Sequence, residues 1–185
     1  MVTDRKLFLK TVSEELSDSL TGIDQTQLDD LVKLIVSGKR VFTAGAGQAA
    51  LMMKVLAMML MQAGFSAYVV GDATTPSIQE GDVLIAASYS GTTKTTLHFI
   101  SQAKARNVKV GLFTANKNSE AAKLADAVVV IHSASDENSK KPTVLYEGDG
   151  FVQTLMPLAH CVARFAGEAI GATEAVMIHN HANLQ

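Results

Sequence analysis

Apolar residues along this chain repeat in two alternating rhythms: helical steps of three and four, and short unbroken runs suited to strands. Within residues 4–20, Phe8, Val12, Leu16 and Leu20 fall at steps of four on one helical stripe. Asp24 followed by Gln27 resembles a capping box. The helix it opens has Leu28, Leu31, Val32 and Ile35 as its core face and Gly38 as its stop. Residues 40–44 read as a first strand, running into Gly45-Ala46-Gly47-Gln48 and a helix over 49–63 that ends at Gly64. That helix is apolar nearly all round, so burial on more than one side is expected. Its methionines, Met52, Met53, Met58, Met59 and Met61, invite the idea of a ligand groove. Core on one face and subunit contact on the other is the stronger reading, because methionine fills irregular gaps.

Residues 67–70 are a second strand, followed by the loop Gly71-Asp72-Ala73-Thr74-Thr75-Pro76. Residues 83–87, 109–113 and 127–131 are the third, fourth and fifth strands, with a short helix capped by Ser119 between the last two. Residues 133–141 are polar and read as an exposed loop. A long helix over 149–168 and a shorter one from Thr173 lead to the tail His179-Asn180-His181-Ala182-Asn183-Leu184-Gln185. Strands alternating with helices imply right-handed crossovers and an α/β fold: a three-layer α/β/α sandwich on a five-stranded parallel sheet. The flavodoxin-like strand order 2-1-3-4-5 fits it. With no internal repeat, low-complexity tract or linker, residues 1–185 read as a single domain.

The centre of this pattern is residues 81–96, where the buried run Val83-Leu84-Ile85-Ala86-Ala87 gives way to Ser88-Tyr89-Ser90-Gly91-Thr92-Thr93 and then to a helix over 93–102. A strand, a hydroxyl-and-glycine loop and a helix N-terminus together make an anion site: the first amides of the helix lack internal partners and its dipole favours negative charge. Ser88, Ser90, Thr92 and Thr93 can add donors. The loop holds no lysine or metal-binding carboxylate, so a phosphate monoester fits better than a nucleoside triphosphate. The competing reading is that Thr92 or Thr93 only caps the helix.

Composition narrows the partners. Lys plus Arg is 16 against 18 for Asp plus Glu, a net charge of −2 with no basic stripe, which argues against nucleic acid. Hydrophobic residues make up 48% and charged ones only 18%, so apolar faces are expected to meet other subunits in a homo-oligomer. Cys161 is the single cysteine, the N-terminus does not resemble a signal peptide, and the most apolar stretch, residues 51–61, is interrupted by Lys54 and too short to span a bilayer. A cytoplasmic protein without membrane contact is expected.

In the 2-1-3-4-5 order the switch point lies between the first and third strands, and ligands bind at their carboxyl ends. Gly45 to Gln48 and Ser88 to Thr93 are the loops that follow those two strands. Gly45-Ala46-Gly47 also begins like a dinucleotide fingerprint, with Ala50 where the third glycine would stand and Asp72 as a ribose acceptor, but no second cofactor-binding half follows. A Walker loop is absent, and His98, His132, His160, His179 and His181 do not combine with carboxylates at metal-ligand spacing. Neither a cofactor nor a metal is expected.

The strand–SxSGxT–helix unit, the preceding glycine loop and the length resemble the sugar isomerase (SIS) family over nearly the whole chain. Within it, Gly45-Ala46-Gly47, Thr74-Thr75-Pro76, Leu145-Tyr146-Glu147 and the ending His181-Ala182-Asn183-Leu184 resemble the 6-phospho-3-hexuloisomerase family. The resemblance implies interconversion of 3-hexulose 6-phosphate and fructose 6-phosphate in the formaldehyde-fixing ribulose monophosphate route, by a tetramer whose crevices neighbouring subunits complete. The chain departs from that family's usual Arg-Ser at Gln48-Ala49, from its Ser-Gly-Ser-Gly-Glu-Thr at Tyr89 and Thr92, and from its Arg-His-Ala-Asn-Leu-Glu ending at Asn180 and Gln185.

By that resemblance the substrate-binding set is Gly45, Gly47, Gln48, Ser88, Tyr89, Ser90, Thr92 and Thr93, and the catalytic pair is Glu147 and His181. Moving a carbonyl between adjacent carbons needs a base and an electrophile but no redox cofactor. Glu147 is the candidate base and His181 its acid–base partner, provided the tail docks in a neighbouring subunit. Otherwise Glu147 is a carboxylate favoured by a helix dipole and His181 is solvated. The alternative function is a phosphosugar-binding sensor, which Gln48 and Gln185 in place of charged residues would suit, or an isomerase of another sugar phosphate.

Overall fold

Short, mostly apolar runs make strands that need cover on both faces when they are central in a sheet, and this chain supplies five strands. In the computed structural model, which describes residues 4–184, these are β1 (Val41–Gly45), β2 (Ala67–Val69), β3 (Val83–Ala87), β4 (Lys109–Thr114) and β5 (Ala127–Val130). All pair in parallel in the order β2-β1-β3-β4-β5, as the alternation of elements implied. Strand residues alternate between two cores. Val41, Val83 and Ile85 join Leu31, Met53 and Phe151 on one side, while Phe42, Leu84 and Ala86 join Ile100 and Ala121 on the other. The first side is covered by α1 (Arg5–Thr21), α2 (Gln25–Ser37), α3 (Gln48–Gln62) and α6 (Asp149–Ala169). The second is covered by α4 (Lys94–Lys104) and α5 (Glu120–Leu124); α7 (Glu174–His179) rests against α3.

The first two helices match their sequence logic. Asp24 caps α2 by accepting from the Gln27 amide at 2.9 Å. The α1 stripe Phe8, Val12, Leu16 and Leu20 is half-buried throughout. On α3, Met53, Leu56 and Leu60 are fully buried, whereas Leu51, Met58 and Met61 are exposed. Within one chain, then, α3 is buried on one side only, and its other face is an apolar surface continuous in kind with exposed Met156 and Phe165 on α6. Among the described residues no helix is long and apolar enough to cross a membrane.

One expectation fails. Residues 133–141 are not simply an exposed loop: Ser135 is buried, because the Ser133 and Ser135 hydroxyls and the Asp136 carboxylate fold into one hydrogen-bonded knot. That knot reaches the start of α6, where Gly150 donates its amide to Ser135 Oγ at 3.0 Å.

Candidate functional site

Register decides where the chemistry sits. Gly45 at the end of β1 lies beside Ala87 at the end of β3, so the two loops that follow are brought to one crevice. Gly45 must be small: a Cβ there would crowd the Ala50 amide at 2.9 Å, so it sets the close strand–helix approach and lines neither cavity. Gly47 is the N-cap of α3 at φ +56°, a conformation glycine adopts without penalty.

Three long helices begin here without a side-chain cap: α3 at Gly47, α4 at Thr93 and α6 at Gly148. By contrast, Asp4, Asp24 and Ser119 cap α1, α2 and α5 through their side chains. The bare helix starts surround a cavity of about 210 Å³ lined by Gln48, Ser88, Tyr89, Thr93 and Thr96 on one side and Glu147 and Asp149 on the other. Unpaired first-turn amides and the positive ends of helix dipoles suit an anion. A volume below the roughly 300–1,000 Å³ of complete small-molecule sites suits only the anionic end of a ligand.

The hydroxyl loop is wired by a short relay. The Gly91 amide donates to Ser88 Oγ at 3.1 Å, and Ser88 Oγ donates to Thr93 Oγ1 at 3.1 Å. Ser88 is thereby consumed in holding the loop, and the Thr93 hydroxyl keeps its own hydrogen for a ligand. The reading of Thr92 or Thr93 as a mere cap does not hold, since Thr93 occupies the N-cap position without a side-chain cap bond. Ser90 and Thr92 are placed apart from this cavity. Ser90 Oγ accepts from the Thr92 amide at 3.2 Å and from Thr92 Oγ1 at 2.9 Å, and both residues line a larger cleft of about 1160 Å³ beneath α1.

Tyr89 and Glu147 line both spaces. The Tyr89 ring packs on Phe151 with centroids 5.8 Å apart, and its hydroxyl accepts from the Glu137 amide at 3.0 Å. Burial pushes the Tyr89 hydroxyl up from its ordinary value. The Glu137 amide works the other way, and the Asp136 charge adds to the rise. Glu147 is exposed at the mouth, between Tyr146 and Gly148, whose φ of +78° turns the chain into α6. The strand of loop before it is tied to α1 by one carboxylate: Glu15 accepts from Thr143 Oγ1 at 2.7 Å and from the Val144 amide at 3.0 Å.

His181 is elsewhere. Asn180 donates from Nδ2 to the Gln62 carbonyl at 3.1 Å, which pins the tail to the C-terminal end of α3. Gln48 is at the other end of that 15-residue helix, about 22 Å away at 1.5 Å per residue. One chain therefore does not bring Glu147 and His181 together. Gln185 lies outside the described residues. Thr96, Asp149 and Glu15 are the residues sequence reasoning missed. Helical spacing marked Thr96 as one more position on a helix, and Asp149 carried a signal only as a second carboxylate two residues after Glu147. No local signal pointed to Glu15. Among the described residues no three His, Cys, Asp or Glu side chains cluster as metal ligands would.

A family model for the SIS domain matches residues 34–147. The 3-hexulose-6-phosphate isomerase of Mycobacterium gastri is 35% identical over 178 residues, covering 96% of this chain and 89% of its own length. That of Bacillus subtilis (strain 168) is 34% identical over 180 residues, with 96% and 97% covered. Among solved structures, a hypothetical protein of Methanococcus jannaschii, for which a 3-hexulose-6-phosphate isomerase function is inferred, superposes with a TM-score of 0.81. It is 28% identical and covers 96% of this chain and 98% of its own.

Proposed function

The chain belongs to the SIS domain family, and from that premise we propose that it is an isomerase interconverting 3-hexulose 6-phosphate and fructose 6-phosphate. The observation that carries the reading is the small cavity, where bare helix starts and the Thr93 hydroxyl face a carboxylate at one mouth. The phosphate takes the amides of α3 and α4 and the Thr93 hydroxyl, with Gln48 and Tyr89 lining the same space, Gly45 and Gly47 setting the backbone approach, Ser88 holding the loop, and Ser90 and Thr92 facing the adjoining cleft. The sugar then extends toward Glu147.

In the direction of fructose 6-phosphate, the Glu147 carboxylate takes the proton from C2 of the 3-ketose. The electron pair forms the C2–C3 double bond and charge moves to O3, giving a 2,3-enediol after protonation. Loss of the proton from O2 rebuilds a carbonyl at C2, and Glu147 returns its proton to C3. Atoms balance with no external oxidant. The helix dipoles stabilise the charge that develops on oxygen, and water exclusion by Tyr89 and Phe151 strengthens that effect. His181 moves the oxygen-bound protons, and it does so in a neighbouring subunit, since its own chain holds it at the far end of α3. The apolar faces of α3 and α6 supply the surfaces on which such a tetramer assembles. We place this single-domain enzyme in the cytoplasm, where its exposed Cys161 stays a free thiol.

Incubation with fructose 6-phosphate in heavy water tests the reading. Deuterium is expected to enter the C3 position of fructose 6-phosphate with wild type and to fall at least a hundredfold with Glu147→Gln, while binding persists. Binding without exchange in the wild type would replace the isomerase by a sensor, and full exchange by Glu147→Gln would remove that residue from the role.

A further inference from the structure

Threonines inside helices ordinarily satisfy their hydroxyls on a carbonyl one turn back. Thr11 does so on Leu7 O at 3.0 Å and Thr21 on Ser17 O at 2.8 Å. Thr96 does not. It is the third residue of α4, 1% exposed, and its Oγ1 is buried without a hydrogen-bond partner. A buried hydroxyl left unpaired weakens a fold, so native structures keep few of them.

Its position supplies a use. Thr96 lines the 210 Å³ cavity from the first turn of α4, as does Thr93, the N-cap residue with its free hydrogen. Thr96 is therefore a residue of the cavity wall whose buried hydroxyl has no partner within the chain, at a site that the bare helix starts already suit to an anion. We propose that Thr96 Oγ1 is a substrate-binding donor, giving its hydrogen to a phosphate oxygen of the bound sugar phosphate. This rests on the isomerase reading above and extends it to a residue outside the loop motif. Thr93 and Thr96 then form one face of the phosphate subsite, a helical turn apart, while Ser88 holds the loop behind them.

Thr154 provides an internal comparison. It is also fully buried with an unpaired Oγ1, but it lies within α6 and lines neither cavity. Valine is nearly isosteric with threonine, so both Thr96→Val and Thr154→Val remove an unsatisfied hydroxyl without opening space. Each is expected to leave the ligand-free protein as stable as wild type or more so, because no bond is lost.

Calorimetric titration with fructose 6-phosphate separates the two. Thr96→Val should bind about ten- to a hundredfold more weakly, the loss expected for one hydrogen bond to a charged acceptor. Thr96→Ser should restore most of the affinity, and Thr154→Val should bind like wild type. A melting temperature that is unchanged or raised without ligand, with a smaller ligand-induced rise, is the accompanying signature of Thr96→Val. Wild-type affinity in Thr96→Val would overturn the assignment of Thr96 while leaving the isomerase reading intact. Failure of the wild type to bind fructose 6-phosphate at all would overturn both.

Discussion

Replacing Gly91 with alanine perturbs the hydroxyl loop at the one point where backbone conformation and packing both demand glycine. Its φ is +65°, and an added Cβ would overlap the Oγ and Cβ of Ser119. Ser119 cannot simply yield, because its Oγ caps α5 by accepting from the Ala122 amide at 3.2 Å, and Gly91 O accepts from the Ala121 amide at 3.0 Å. Left-handed strain in a non-glycine residue costs about 1–2 kcal/mol, and a displaced cap about 1 kcal/mol more. The sum, about 2–3 kcal/mol, is a large part of a typical stability of about 5–15 kcal/mol. Urea unfolding at a slope of about 2 kcal/mol per molar should therefore show the midpoint falling by about 1–1.5 M. Ser119→Gly removes the overlapping atoms and costs only a few tenths of a kcal/mol as a cap. The double variant Gly91→Ala/Ser119→Gly should thus recover about 1 kcal/mol relative to additivity. Because the Gly91 amide donates to Ser88 Oγ, the single variant should also bind fructose 6-phosphate more weakly. A Gly91→Ala protein within about 0.5 kcal/mol of wild type, or strict additivity in the double variant, would refute the packing argument.

Three further outcomes follow from the same geometry. If each tail works in another chain's crevice, as proposed, mixing inactive Glu147→Gln and His181→Ala subunits after mild dissociation should restore part of the isomerase activity; no recovery would place His181 outside the reaction. Ser90→Ala should lower fructose 6-phosphate affinity only about two- to tenfold, the loss of one neutral hydrogen bond, since Ser90 lines the adjoining cleft and not the phosphate cavity; the unfolding midpoint should not change, because the Thr92 amide that Ser90 accepts from is exposed to water. At the opposite end of the sheet, burial alone would raise the Asp82 carboxyl, but the Arg40 guanidinium and the Gln79 amide more than offset it and hold it below the usual range. A carboxyl depressed in the folded state stabilises above its unfolded value of about 4 and loses that contribution as pH falls through the folded value. Acid unfolding of Asp82→Asn should accordingly show a shallower dependence below about pH 4, starting from a less stable protein at neutral pH; an identical acid limb would show that the pair does not govern it.

Local spacing carried most of the architecture. The unbroken run at 83–87 suits a strand covered on both faces, and five short strand segments alternating with helices leave little choice but a parallel sheet between helical layers. Glycine and hydroxyls after β1 and β3 marked the loops, and the switch-point rule placed both at one crevice, as the pairing of Gly45 with Ala87 shows. These features were readable because they depend on neighbours a few residues apart.

What only the tertiary structure decided depends on pairs far apart in sequence. Ser88 to Thr93 read as one cradle, but the turn at Gly91 sends Ser88 and Thr93 to the small cavity and Ser90 and Thr92 to the cleft under α1. Ser135 is buried because it meets Gly150, and Glu15 holds the approach to Glu147 from 128 residues away. The unpaired Thr96 hydroxyl is invisible in a string of letters, since a threonine on a helix usually bonds its own backbone and only packing shows that this one does not. The Asn180 bond to Gln62 likewise decided that His181 leaves its own crevice. Hydrophobic periodicity determined the elements; side-chain direction and long-range register, which periodicity does not encode, determined which polar groups face one another.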